Sequence, residues 1–278
     1  MKLYNGLVEK SLGNFSESMD YLLTTIDCFK NENDALGVNS AKNNIALIYY
    51  YQKKYLKAIK IWEELYHSPS DDHTEKTHKY LLNIGAAYHQ LKDYDKAIKY
   101  YKLSLNLAVN IKDTLEQAMC YQNLGTSYNM KEDFITAEHF YSKSIEILKQ
   151  QNNVKSLSEL YFNIAGNYIE TDIDKAYYYA QNSLNLAMKT EDLELLSDAY
   201  FAMYNVYSKK NKYKNAFDYL KKYHQIREKI LNEKSINKVA ELEAVYENEK
   251  KINTINTLNK EKLLQQKELQ QKEIVTYF

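Results

Sequence analysis

Small residues recur along this chain at a long and nearly constant interval. Ser18, Ala58, Ala97, Ala137, Ala176 and Ala216 follow one another in steps of 40, 39, 40, 39 and 40. Ten or so residues upstream runs a second small column, Gly6, Ala46, Gly85, Gly125 and Ala165, which Tyr204 breaks. Three positions beyond that column stand Tyr49, Tyr88, Tyr128, Tyr168 and Tyr207. A further column holds Phe15, Tyr55, Tyr94, Phe134 and Tyr213, with Ile173 substituting once. Such a period marks a stacked array, because no single unit can bury its apolar face alone. Antiparallel helix pairs fit the columns. A small residue on each helix lets its partner approach, and aromatic rings fill the wedge between them. Lys92-Asp93 and Lys131-Glu132-Asp133 mark tight turns. The pattern predicts an all-α solenoid of about six helical hairpins over residues 1–225.

From about Ile226 the pattern changes. No Gly or Pro follows, and Glu, Lys, Gln and Asn dominate through Phe278. Apolar residues fall at Ile236, Val239, Leu242, Val245 or Tyr246, Ile252, Ile255 and Leu258, then at Leu263, Leu264 and Leu269. Spacings of three and four make one helical stripe, so residues 226–278 are expected to form a long charged helix of about 80 Å at ~1.5 Å per residue. A stripe this narrow suits pairing with a second copy as a coiled coil, with Glu249 and Asn256 on the seam. The alternative is a lone helix held by i,i+4 Glu/Lys pairs.

Composition agrees with the helical reading. One Pro and six Gly are too few for many reversing strands. Lys plus Arg and Asp plus Glu both number 37, so the basic surplus that drives nucleic-acid binding is lacking and no such contact is expected. Cys28 and Cys120 lie in different repeats and form no C-x-x-C pair, which argues against a disulfide framework and a thiolate zinc site. No stretch approaches the ~18 apolar residues of a membrane span, and the start lacks the apolar core of a signal peptide. Both ends read as cut, since apolarity rises again at Ile274-Val275-Thr276-Tyr277-Phe278.

The small, Tyr, aromatic and Ala columns resemble the tetratricopeptide repeat, over about six units. The resemblance implies a right-handed superhelical solenoid. The period exceeds the usual ~34 residues and is similar to the longer-helix repeats of kinesin light chains and bacterial peptide-sensing regulators. Glu9 stands in the Tyr column of the first unit, and Pro69 lies in an irregular loop from Ser68 to His73 rather than at a repeat end.

One column is not needed for packing. Asn44, Asn83, Asn123 and Asn163 each stand two residues before the small residue, with Ala202 in the last unit. A side-chain amide matches the N–H and carbonyl of an extended backbone. In long-repeat relatives this Asn binds peptide backbone, so the resemblance implies that role for these four. Neighbouring positions Tyr50, Tyr51, His89, Gln90, Gln122 and Asn129 would then set specificity along the concave groove. The other reading stays open: the amides satisfy backbone groups within the stack.

Candidate chemistry is sparse. His67, His73, His78, His89, His139 and His224 show no H-E-x-x-H spacing, and the first three read as a chance surface grouping rather than a metal site. Trp62 occupies the position of Tyr101 and Tyr141 and is expected in the core. No phosphate-cradling glycine loop occurs and no nucleophile is paired with a base, so no cofactor and no enzymatic activity are expected of this chain.

The run Glu233-Lys234-Ser235, Ala240-Glu241-Leu242 and Tyr246-Glu247-Asn248-Glu249-Lys250-Lys251 resembles the connector of a Bacteroidetes-type signalling family. In that family tetratricopeptide repeats lead through a charged helix to a transmembrane segment, then to a histidine kinase or helix-turn-helix regulator. The resemblance implies a sensor region that binds a peptide or protein and passes a change along the last helix. Homodimerisation through residues 226–278 and a membrane contact only beyond Phe278 would follow. The solenoid would then lie on the extracytoplasmic side of a bacterial inner membrane. The rivals are a free-standing cytoplasmic scaffold and the regulatory region of an intact kinase.

Overall fold

The structure, a computed structural model, describes residues 15–68 and 77–276. These residues form eleven α-helices and no strand. The helices are α1 (Phe15–Asn31), α2 (Ala35–Tyr51), α3 (Tyr55–Tyr66), α4 (Thr77–Gln90), α5 (Tyr94–Asn110) and α6 (Thr114–Met130). They continue as α7 (Phe134–Gln150), α8 (Val154–Tyr168), α9 (Ile173–Ala187), α10 (Leu193–Lys209) and α11 (Tyr213–Thr276). Gly6, Glu9, Pro69 and His73 lie outside the described residues.

Each helix packs on the next, which builds five hairpins, α2–α3 through α10–α11, with α1 before them. First helices also approach one another across repeats, α4 with α6, α6 with α8 and α8 with α10, whereas second helices make no comparable approach among the described residues. The first helices therefore form the inner layer and the second helices the outer one.

The small columns make this nesting possible. Ser18, Ala58, Ala97, Ala137, Ala176 and Ala216 are all buried. A Cβ on Gly85 would lie 2.6 Å from the Tyr101 ring, and one on Gly125 would lie 2.5 Å from the Tyr141 ring. Those glycines hold first and second helices at a separation no side chain would permit. Trp62 takes the same place in its repeat, buried and donating from Nε1 to Asn43 Oδ1 at 2.9 Å.

The turns share one construction. Asn33, Lys53, Lys92, Lys112, Glu132, Asn152 and Asn211 adopt left-handed backbone, with φ from 51° to 63°. In five of these turns an Asp or Asn follows at once and caps the next helix: Asp34, Asp93, Asp113, Asp133 and Asn153 each accept a first-turn N–H. Asp172 and Asp192 do the same for α9 and α10. A cap of this kind contributes about 1 kcal/mol.

A register of buried hydroxyls ties the two helices of a hairpin together. Ser104 Oγ donates to His78 O at 2.8 Å, Ser144 Oγ to Ala118 O at 2.8 Å, and Ser183 Oγ to Ser158 O at 3.0 Å.

The last helix is one element of 64 residues, with no break near Ile226. At ~1.5 Å per residue it is about 96 Å long. Its start packs on α10 as the outer helix of the last repeat. Ile230 is buried there, and Arg227 and Lys234 pair with Glu194 at 3.2 and 2.7 Å. Further along, Ile236, Tyr246, Ile252, Ile255 and Leu258 are exposed. The side chains of Val239, Leu242, Val245, Glu249, Leu263, Leu264 and Leu269 lie outside what the structure describes. Among the described residues no helix is long and apolar enough to cross a membrane.

Candidate functional site: the inner groove

Three hollows follow one another along the inner layer. One of about 270 Å³ is lined by Tyr50, His89, Gln90, Gln122, Asn123 and Asn163 among others. Gln122, Asn123 and Asn163 also line a neighbouring hollow of about 220 Å³, together with Leu115, Met119 and Glu159. The third, of about 500 Å³, lies between α8 and α10, between Phe162, Gly166 and Ile169 on one side and Phe201, Ala202 and Asn205 on the other. Helix α8 presents residues to all three; the central hollow is the most polar, and the one between α8 and α10 mixes Phe162, Ile169, Phe201 and Val206 with Glu170, Asn205, Ser208, Lys209 and Asn211.

Six of the ten sequence-selected residues thus meet in the central hollow. Asn123 is half-buried and Asn163 exposed, and among the described residues neither side chain makes a hydrogen bond. Their amide groups are open to a ligand. His89 is half-buried, and its Nδ1 is hydrogen-bonded with Ser127 Oγ at 3.1 Å. Burial lowers its pKa, which keeps the ring neutral at pH 7. Burial likewise raises the Tyr50 hydroxyl, further raised by Tyr55.

The other four selected residues are placed differently. Asn44 is buried and donates from Nδ2 to Ser40 O at 2.9 Å, so its amide is engaged within its own helix. Asn129, expected to set specificity, is buried instead. Its Nδ2 donates to Asn167 O at 3.1 Å and ties α6 to α8. Asn83 is half-buried and lines none of the three hollows. Tyr51 is exposed beside Tyr50, outside the hollows, with ring centroids 5.8 Å apart.

The sequence reading missed Ala86, Tyr101, Thr126 and Asn167, which complete the central hollow. Asn167 Nδ2 donates to Tyr141 OH at 2.7 Å and to Thr126 Oγ1 at 3.2 Å, a polar floor beneath the open amides. Ala86, Thr126 and Gly166 share a register one position after the small column. That register was the signal available.

The expected surface grouping of histidines is corrected at His78, which is 1% exposed. Its Nε2 stands 3.6 Å from Glu116 Oε1, with Lys79 Nζ 3.7 Å from the same oxygen. The donor atoms of His78, Asp113 and Glu116 lie within 4.8 Å of one another. Such donors suit a divalent cation, yet Asp113 is occupied in capping α6 and Lys79 supplies a cation beside Glu116. Nearby, Cys120 is buried, its thiol pushed up to about 12 chiefly by that burial. Cys28 is exposed.

Residues 77–150, which span α4 to α7, match the family described as Tetratricopeptide repeat. The solenoid is built of tetratricopeptide-type helical hairpins, and those of α4 to α7 carry the family match. The Regulatory protein RapK of Bacillus subtilis (strain 168) is 28% identical over 133 residues, 47% of this chain and 36% of RapK. The chain thus spans about a third of the length of that relative. The apo form of the quorum sensor NprR from B. thuringiensis superposes with a TM-score of 0.66 at 18% identity, covering 81% of this chain and 64% of NprR. A Rap protein complexed with Competence and Sporulation Factor gives a TM-score of 0.58 at 14% identity, covering 83% of this chain and 75% of that protein. At such identities the likeness is one of tetratricopeptide fold.

Proposed function

We propose that this protein binds an extended polypeptide in its inner groove and acts as the input region of a signalling protein, with α11 as its output lever. The observation that carries the reading is the pair of open amides, Asn123 and Asn163, in equivalent positions on adjacent inner helices. Repeated once per hairpin, an amide can meet a main chain's N–H and carbonyl without reading its side chains. His89, Gln90 and Gln122 around them supply further polar contacts of the kind that choose among sequences. Relatives named as a regulatory protein, a quorum sensor and a Rap protein held with Competence and Sporulation Factor support the same reading.

Selection from a phage-displayed library of random decapeptides, followed by fluorescence anisotropy, tests it. The Asn123→Ala/Asn163→Ala double variant should keep its helical circular dichroism and lose affinity by roughly 10- to 100-fold, as two lost hydrogen bonds of about 1 kcal/mol each require. Recovery of no binder, or full affinity in the folded double variant, would remove the groove from the account.

The lever belongs to the same proposal. An extracytoplasmic sensor joined by α11 to a membrane span and a kinase or regulator is the form the connector resemblance favours. A free-standing cytoplasmic scaffold is the alternative, and a stop codon directly after Phe278 would decide for it.

A further inference from the structure

Gly166 differs from the other inner-helix glycines. Gly85 and Gly125 face tyrosine rings that leave no room for a Cβ, whereas a Cβ on Gly166 would meet nothing within 4 Å. It sits inside α8, where glycine is the poorest residue short of proline. Packing of the fold therefore does not call for it. What its missing side chain leaves open is the 500 Å³ hollow, with Phe162, Ala165 and Ile169 beside it and Phe201 and Ala202 across on α10.

We propose that this hollow receives one bulky apolar side chain, of phenylalanine or leucine size, from the polypeptide lying in the groove, and that Gly166 keeps the space for it. This rests on the groove reading above and adds the class of residue that anchors the ligand. Three observations choose a polypeptide as the occupant. The hollow borders the amide-lined part across α8, which gives Asn163 to one and Gly166 to the other, three residues apart. The amide column, lost at Ala202, is resumed one turn later by Asn205, which lines the hollow and makes no side-chain hydrogen bond among the described residues. A main chain passing from Asn123 to Asn163 would thus meet a third amide at the point where its side chain turns inward. Across the rim, Lys209 pairs with Glu170, so the two opposite charges cancel and a neutral segment is accommodated. The size is within the ~300–1,000 Å³ of ligand pockets, which leaves room for one such side chain and the main chain that carries it.

The test uses two soluble decapeptides of Ser, Thr and Asn, identical except for a central Phe or Asp, and the capped amino acid N-acetyl-phenylalaninamide. With the full chain, the Phe peptide should bind at least ten-fold more tightly than the Asp peptide. N-acetyl-phenylalaninamide should shift the amide resonances of Ala165, Gly166 and Ala202. Gly166→Leu should erase the Phe preference while the helical signal stays intact. Gly166→Ala has room for its methyl, so it should raise the melting temperature and weaken the Phe peptide by a smaller factor.

Equal affinity for the two peptides, with Asn123→Ala/Asn163→Ala still harmful, would overturn the anchor and leave the groove standing. Binding of the capped amino acid with no gain from flanking peptide would make the hollow a small-molecule site, and overturn the proposal together with the groove reading. Protection of Gly166 by a second copy's α11, seen as concentration-dependent shifts without peptide, would overturn it as well.

Discussion

At the scale of single residues, the left-handed turn positions carry a cost that the helices do not need. Lys53, Lys92, Lys112 and Glu132 hold φ values of 58° to 63° with full side chains, where a Cβ costs about 1–2 kcal/mol and helices commonly place glycine. Glu132→Gly should therefore raise stability by about 0.5–1 kcal/mol after the added freedom of the unfolded glycine is subtracted. Urea unfolding would show it as a higher midpoint with unchanged slope, and a lower midpoint would refute the strain argument. The same scale explains why one asparagine column has two fates. The amide of Asn44 is buried and bonded to Ser40 O a turn earlier in its own helix, whereas Asn163 is exposed and lines the central hollow. Identity and register are the same for both. Only the depth of the surrounding side chains separates them.

Between elements, Glu138 on α7 makes a three-way polar joint. It accepts Tyr168 OH at 2.7 Å, Tyr179 OH at 2.8 Å and Lys175 Nζ at 2.9 Å, so one carboxylate binds α7 to both helices of the next hairpin. Burial alone would raise the Glu138 pKa, but the bonds from Lys175, Tyr168 and Tyr179 outweigh it and hold the carboxyl below its usual value. A depressed folded pKa stabilises above the unfolded value, near 4.3, and that contribution is lost as pH falls through the folded value. Glu138→Gln should cost about 2 kcal/mol at pH 7 and flatten the acid limb of stability below about pH 4.5. Thermal melts of both proteins from pH 3 to 7 would measure this. Parallel acid limbs would show that Glu138 is not the group responsible. No column pointed to this residue, because the position holds Ile98 and Tyr177 in neighbouring repeats.

Over the whole molecule, tyrosine chemistry sets an alkaline limit. The hydroxyls of Tyr100 and Tyr141 are pushed up to about 12, mainly by burial, and those of Tyr168 and Tyr179 are also raised by burial and by the bonds to Glu138. These groups keep their protons in the fold while the unfolded chain gives them up near pH 10. Stability is then fully present below about pH 10 and falls as pH rises toward 12. Helical circular dichroism and tyrosinate absorbance at 295 nm should change together in that window, and helix persisting unchanged to pH 12 would contradict it. The exposed stripe Ile236, Ile252, Ile255 and Leu258 leads to a further expectation at this scale. Light scattering should find a dimer for the full chain and a monomer for a chain ending at Lys234, a cut that spares Ile230 and the Glu194 pairs. Monomers in both cases would reject pairing through α11.

The repeat was legible in the residues because nesting imposes the same steric demand once per hairpin: an alanine at each crossing, and glycine where Tyr101 or Tyr141 lies opposite. Such a demand is local and recurs, so it leaves a period in the chain. The groove was legible only as a register. Which of its asparagines keep a free amide, that Asn129 turns inward to Asn167 O, and that Gly166 opens a hollow rather than closing a contact were decided when neighbouring helices came together. Asn129 meets Asn167 O 38 positions on, and the far wall of the Gly166 hollow, Phe201 and Ala202, is supplied by the next inner helix. A one-dimensional period states that two positions are equivalent, but it does not state what stands opposite them.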